Sequence, residues 1–211
     1  MQQYDIAAKV LIESCRDGII RHLLGLTFRE SKLMDPLPQE TVSVKRSDFP
    51  VLVTDESGLR RLVVIEIQTQ WRHTVPLHLI DYRARYLLRH DVNDATTCVI
   101  LLRPSSTATD RYEDSEFRFQ YRLIKIFEMD AREAVEAGPV CMLPFVPLMK
   151  NGQEMTDAAD DLIYGSEHSR PEKADMLTSM AILPGLVSSD MPARLIARRK
   201  DIMIESAAYD I

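Results

Sequence analysis

The sequence predicts an α/β (α+β) protein, a central mixed β-sheet flanked by helices, with a C-terminal helical appendage. Three features carry that expectation: an amphipathic pattern at the N-terminus, two β-rich runs joined by a Gly-containing turn cluster, and helical periodicity that returns near the C-terminus.

From Tyr4 to Leu24, apolar residues at Ile6, Val10, Ile19, Ile20, Leu23 and Leu24 predict a first helix that stops at Gly25. A connection containing Pro36 and Pro38 leads to Thr41-Val42-Ser43-Val44, a short alternating strand. The runs Phe49 to Val53 and Leu62 to Ile65 flank Asp55-Glu56-Ser57-Gly58, which reads as a hairpin whose Gly supplies the positive φ of the turn. Pro50 removes a ladder donor and predicts a first hairpin strand that is bulged or partly edge-like there. From Pro76 to His90, Leu77, Ile80, Ala84 and Leu87 form an apolar helical stripe, with Tyr82 and Arg83 off its centre. Thr96 to Leu102 reads as a buried strand, Phe117 to Phe127 as a further β-like segment, and Ala131 to Ala137 as a short helix. The chain turns polar from Asn151 to Lys173, then helical at Ala174 to Leu183 and Pro192 to Ile204, with Asp190 and Pro192 marking the last helix's start. These patterns divide the chain into residues 1–150 and an extension, residues 151–211.

With 45% hydrophobic and 27% charged residues among 211, the chain has apolar material for one sizeable core. No apolar run approaches the roughly 20 residues that span a bilayer, and the N-terminus, with Asp5 and Lys9 in its amphipathic pattern, lacks a signal peptide's apolar centre. A cytoplasmic protein with no membrane partner is expected. Cys15, Cys98 and Cys141 are odd in number and far apart in sequence, which suits inert thiols in a reducing compartment and neither a disulfide framework nor a zinc site. The chain lacks the Gly-rich phosphate loops, the GxSxG elbow and the paired-His zinc motif, so nucleotide-driven, serine and zinc chemistry have no support.

The net charge of −6 counts mildly against a nucleic-acid partner, because phosphate binding draws on Lys and Arg. Distribution matters more. Lys45, Arg46, Arg60, Arg61, Arg72 and His73 flank the hairpin, and Arg83, Arg85, Arg89 and His90 follow on the next helix, so a basic rim can exist on an acidic protein. The competing reading is of solvated charges, with Asp81 and Arg85 as a simple helical pair. Arg194, Arg198, Arg199 and Lys200 give the last helix a basic side, read as a solvated face ahead of a DNA contact.

The hairpin carries the chemistry. If its loop centres near Ser57, Asp48 falls opposite or nearly opposite Glu66. Strand alternation puts Glu66, Gln68 and Gln70 on one face, with Ile65 and Ile67 on the other. Two facing carboxylates in apolar surroundings are costly unless a cation compensates them, and Mg²⁺ commonly takes only one or two carboxylates, leaving positions for water and phosphate oxygens. Such an ion activates water and neutralises charge on a phosphoryl group, with Gln68 placed to orient either. The bland alternative has Glu66 and Gln68 facing solvent on an edge strand.

Asp48, Glu66 and Gln68 together resemble the catalytic motif of the PD-(D/E)XK nuclease superfamily, and within it the Rpn-type recombination-promoting nucleases, also described as candidate transposases. The likeness covers most of the chain. Tyr4-Asp5 with Lys9, Val75-Pro76-Leu77 followed by Tyr82-Arg83-Ala84, Phe119-Gln120-Tyr121-Arg122, Leu143 to Met149 and Ile204-Glu205-Ser206 are similar to segments of that group, in the same order. Many members carry Arg where this chain has His78. The resemblance implies a restriction-endonuclease-like core with the order helix, three strands, helix, strand, and a metal-dependent DNA endonuclease linked to recombination or mobile elements. It implies Asp48 and Glu66 as ligands of Mg²⁺, with Mn²⁺ as a substitute, and Asp5 or Glu13 as the acid its members often place on the first helix; Gln70, Tyr82 and Arg83 are further accessory candidates. Cutting both strands with one site per chain would call for a homodimer. The alternative is a nuclease fold without catalysis, a DNA-binding or protein-interaction module.

Overall fold

The computed structural model describes residues 2–34, 49–206 and 208–209, and these form two compact units, residues 25–124 and residues 1–24 with 125–211. The class is mixed α and β, as expected.

In residues 25–124, β1 (Glu30–Leu33), β2 (Phe49–Thr54), β3 (Arg60–Gln68) and β4 (Ala95–Leu101) are followed by the short strands β5 (Arg111–Glu113), β6 (Arg118–Gln120) and β7 (Arg122–Lys125). The main sheet has the order β1-β2-β3-β4-β7, while β5 and β6 pair as a separate hairpin. β1 and β2, and β2 and β3, run antiparallel; β3 and β4 run parallel, joined by the helix α2 (Val75–His90). The sheet is therefore mixed. A parallel pair needs such a crossover, whereas β2 and β3 need only a tight loop.

That loop is built as its composition predicts. Asp55 Oδ1 accepts from the Ser57 backbone N–H at 2.9 Å, from Ser57 Oγ at 2.7 Å and from the Leu59 N–H at 3.0 Å, and Gly58 takes φ +84°. The register runs from Thr54 opposite Arg60 to Phe49 opposite Ile65, each pair centred on residue 57. Pro50 causes no bulge: the β2–β3 ladder passes through it unbroken. Its effect falls on the other side, where Met34 N–H donates to Pro50 O at 2.8 Å but Pro50 has no N–H to return, and β1 ends at Leu33. Strand β1 itself has no counterpart among the sequence expectations, and the expected strand Thr41 to Val44 lies outside the described residues.

One face of this sheet is covered by α2. Leu62, Val64 and Val99 pack with Val75, Leu79, Tyr82 and Tyr86 of the helix, and with Tyr121. The buried stripe of α2 is thus Val75, Leu79, Tyr82 and Tyr86, not Leu77, Ile80, Ala84 and Leu87; Leu77 is 44% exposed, and Tyr82, expected off-centre, is only 2% exposed. Both stripes have helical spacing, and the winning one contains the two tyrosines, whose large ring areas outweigh an aliphatic set containing Ala84. The β-like segment Phe117 to Phe127 also resolves differently, into β6, β7 and a 3-10 turn at Ile126–Glu128. Phe119 and Tyr121 still share a face, their rings 5.6 Å apart.

The other unit joins α1 (Gln2–Leu24) to α3 (Ala131–Ala137), α4 (Gly152–Gly165), α5 (Arg170–Ile182) and α6 (Met191–Met203). Helix α1 stops where expected, with Gly25 at φ +57°. It packs on α5, where Ser179 Oγ donates to Ala7 O at 2.9 Å and Ser14 Oγ to Asp175 at 2.8 Å. A wholly apolar 3-10 segment, Val140–Leu148, lies buried among α1, α3, α4 and α5. The packing therefore does not divide the chain at residue 150: the first helix groups with the last ones, because its apolar residues and theirs share a core. Residues 151–173, polar in composition, contain helix α4. Among the described residues no helix is long and apolar enough to cross a membrane.

Candidate active site

Glu66 and Gln68 sit near the end of β3, the central strand of the five-stranded sheet. The strand is interior: Glu66 lies beside Val99 of β4 and is 8% exposed. An exposed edge-strand position is excluded. Alternation places Glu66 on the same face as Leu62 and Val64, the face covered by α2, and Ile65 and Ile67 on the other. The expected neighbourly relation of Glu66 and Gln68 is realised directly, since Gln68 Nε2 donates to Glu66 Oε1 at 3.0 Å. That bond occupies the amide nitrogen and leaves the carbonyl Oε1 of Gln68 as an acceptor. The strand is held at this end by the Leu102 N–H, which donates to Gln68 O at 2.9 Å.

The site lies at the carboxyl ends of two parallel strands, where the chain turns from β3 into α2. In open sheets with crossover helices this is where side chains reach ligands without breaking the ladder. The polar row ends at Gln68. Gln70, expected to continue it, falls in a bend beyond the strand and is exposed, because the chain must leave the sheet to reach the turn at Arg72–Val75.

Asp48, the proposed partner of Glu66, lies outside the described residues, as do Lys45 and Arg46. Tyr82 is on the sheet-facing stripe of α2, with the His78 ring 6.2 Å from its own. Arg83 is remote from Glu66. Its Nη1 donates to Ala95 O at 2.7 Å, and Ala95 pairs with Leu62, about 13 Å along β3 from Glu66 at roughly 3.3 Å per residue. Burial lowers its pKa, as expected of a guanidinium committed to the start of β4. Asp5 and Glu13 are exposed on α1, in the other compact unit.

The basic rim is only partly available. Arg61 is paired with Asp94 at 2.5 Å and Arg85 with Asp81 at 3.7 Å, while Arg60, Arg72, His73 and Arg89 are exposed. On the basic side of α6, Arg194, Arg198 and Arg199 are paired with Asp157, Asp160 and Asp161 of α4, while Arg194, Arg198 and Lys200 remain exposed. The helical spacing of Val75, Leu79, Tyr82 and Tyr86 is the one signal in the sequence that places Tyr82 on the sheet side.

The donors present at the site are hard oxygens, a carboxylate and an amide carbonyl, which suit Mg²⁺ or Mn²⁺ and not a thiolate and imidazole set. They fit such an ion in kind, with Asp48 needed for the second carboxylate. No family model, curated protein or solved structure matches the chain.

Proposed function

We propose that the chain is a metal-dependent endonuclease that hydrolyses DNA phosphodiester bonds, with Asp48 and Glu66 as ligands of Mg²⁺ and Gln68 as the group that orients water or phosphate. The observation that carries this reading is the Gln68–Glu66 hydrogen bond on one face of an interior strand, at its carboxyl end. Asp48 precedes Phe49 in sequence, and Phe49 pairs with Ile65, the residue before Glu66.

When bound, Mg²⁺ lowers the pKa of water and offsets charge that develops on the phosphoryl group. Glu66 and Asp48 supply the anionic ligands, and the buried position of Glu66 strengthens its attraction for a cation. Gln68 has its Nε2 fixed on Glu66, so its Oε1 is aimed by the same bond and can accept a hydrogen bond from a water there, orienting it. DNA as the substrate, membership of the Rpn-type group, a role in recombination and action as a homodimer rest on the resemblance of the motif and of the segments around it. Exposed Arg72 and His73, just beyond β3, are the cations nearest in sequence to the strand end where the scissile phosphate would lie.

The test is nicking and linearisation of supercoiled plasmid in Mg²⁺, Mn²⁺ and EDTA, comparing the wild type with Glu66→Ala and Asp48→Ala. Cleavage that requires metal and is lost in both variants is the expected result. Absence of cleavage by the folded wild type in either metal, with DNA binding retained, would replace this reading with a non-catalytic binding module.

A further inference from the structure

We propose that Arg103 binds a DNA phosphate at the strand end that carries Glu66 and Gln68. This rests on the nuclease reading above and adds to it a contact from the neighbouring strand. β3 and β4 run parallel and in register, so their carboxyl ends finish side by side: Glu66 pairs with Val99 and Gln68 with Leu101. The Leu102 N–H carries the ladder one step further by donating to Gln68 O at 2.9 Å. Arg103 is the next residue.

The surroundings change abruptly at this point. Val99, Ile100 and Leu101 are 0% exposed and Leu102 1%, whereas Arg103 is exposed, at the bend where the chain leaves the sheet. The cation is thus carried on the end of a fully buried, close-packed strand. Pro104 follows and disfavours helical geometry at Arg103, which narrows the directions the backbone can take there. At about 3.3 Å per residue along a strand and about 4.8 Å between strands, the Arg103 Cα lies at most roughly 8 Å from that of Gln68. A long arginine side chain spans such a gap.

The guanidinium is also uncommitted. Arg61 and Arg85 are paired with Asp94 and Asp81, and Arg83 donates to Ala95 O, but Arg103 has no ion pair and no side-chain hydrogen bond among the described residues. Arg72, beyond β3, stands four residues past Gln68, while Arg103 stands two past the partner of Gln68. A carboxylate such as Glu66 repels the DNA backbone, and a cation on the adjacent strand end offsets that repulsion. The planar guanidinium can donate two parallel hydrogen bonds to a phosphate, a geometry that lysine lacks.

The full-length protein is titrated with a fluorescein-labelled 30-base-pair duplex across a salt series, in EDTA and in Ca²⁺, and plasmid cleavage in Mg²⁺ is measured on the same preparations. Arg103→Ala should weaken binding about tenfold and lower the slope of log K against log salt by about 1, with Tm unchanged. Arg103→Lys should restore the slope, because the charge returns, and recover the affinity only in part, because the fork does not. Arg118→Ala, which removes an exposed arginine of β6, is the control and should leave the slope as it is. An unchanged slope in Arg103→Ala, or an equal loss in Arg118→Ala, would overturn the inference while leaving the nuclease reading in place. A wild type that binds without cutting, with the Arg103 effects intact, would end the nuclease reading alone. A folded wild type that neither binds nor cuts would end both.

Discussion

Two buried carboxylates in this molecule meet the same physical demand by different routes. Glu66 takes its hydrogen bond from Gln68, two residues further along one strand, whereas Asp160, 1% exposed, takes its bonds from Arg198 and Arg199 on another helix, 38 and 39 residues away. At Asp160 two guanidiniums face two carboxylates: Arg198 and Arg199 each place Nε on Asp160 at 2.8 Å and Nη2 on Asp161. Opposed charges and planar forks fill this seam between α4 and α6, and the Arg199 guanidinium also lies 4.1 Å from the Tyr164 ring centroid. One partner of Glu66 is the neutral amide of Gln68, which has an oxygen to spare. The Asp160 arrangement joins two helices; the Glu66 arrangement keeps a carboxylate and an acceptor oriented at a strand end, where chemistry can use them.

Breaking each in turn should separate these roles. Glu66→Ala should lower plasmid cleavage about 10³-fold while the protein stays folded, whereas Asp160→Ala should leave cleavage by the folded fraction intact. Equal loss of cleavage in both variants would end the distinction. Asp160→Ala should instead cost about 3 kcal/mol of stability, read as a fall in the midpoint of urea unfolding, because it removes the one buried carboxylate shared by Arg198 and Arg199. Gln68→Ala should reduce cleavage about 10²-fold with little change in stability, since the half-buried amide orients Glu66 without anchoring a helix. A change in Tm without a change in rate would make Gln68 a structural residue only.

The smallest expected effect is one of pH. Asp161 is held below its ordinary value of 3.8, first by the hydrogen bond from Arg198, so its contribution to stability is present above that value and lost as pH falls through its folded pKa. Burial moves its neighbour Asp160 the other way, upward, even with both guanidiniums beside it, so Asp160 takes up a proton first on acidification. Tm measured across the acid range should therefore fall below the ordinary carboxylate value, and Asp161→Asn should flatten that limb. The hairpin site should not respond to Asp161→Asn, and a shifted pH profile of cleavage in this variant would contradict that.

Much of the hairpin is legible in the sequence. A turn cluster with Asp55 and Gly58 fixes a loop centre, a loop centre fixes the register, and strand alternation fixes which side chains share a face, so the Glu66–Gln68 contact follows from three local rules. The helix ends at Gly25 and at Ala137 are legible for the same reason. The stripe of α2 is not, because two helical faces of that segment are apolar and only the presence of the sheet selects between them. The pairing of the α6 arginines is not legible from sequence because their partners lie on α4, in a stretch whose polar composition resembles a linker.

The sequence by itself determined the mixed class, the hairpin with its register, and the one-sided placement of Glu66 and Gln68, because each depends on residues within a few positions of one another. Only the tertiary structure decided that α1 groups with the last helices, that Asp160 meets Arg198 and Arg199, and that Cys141 fills the notch at Gly18 of α1. Those contacts join segments far apart along the chain, and their pairing is selected by how apolar faces and charges fit when helices pack, a choice that no local pattern encodes.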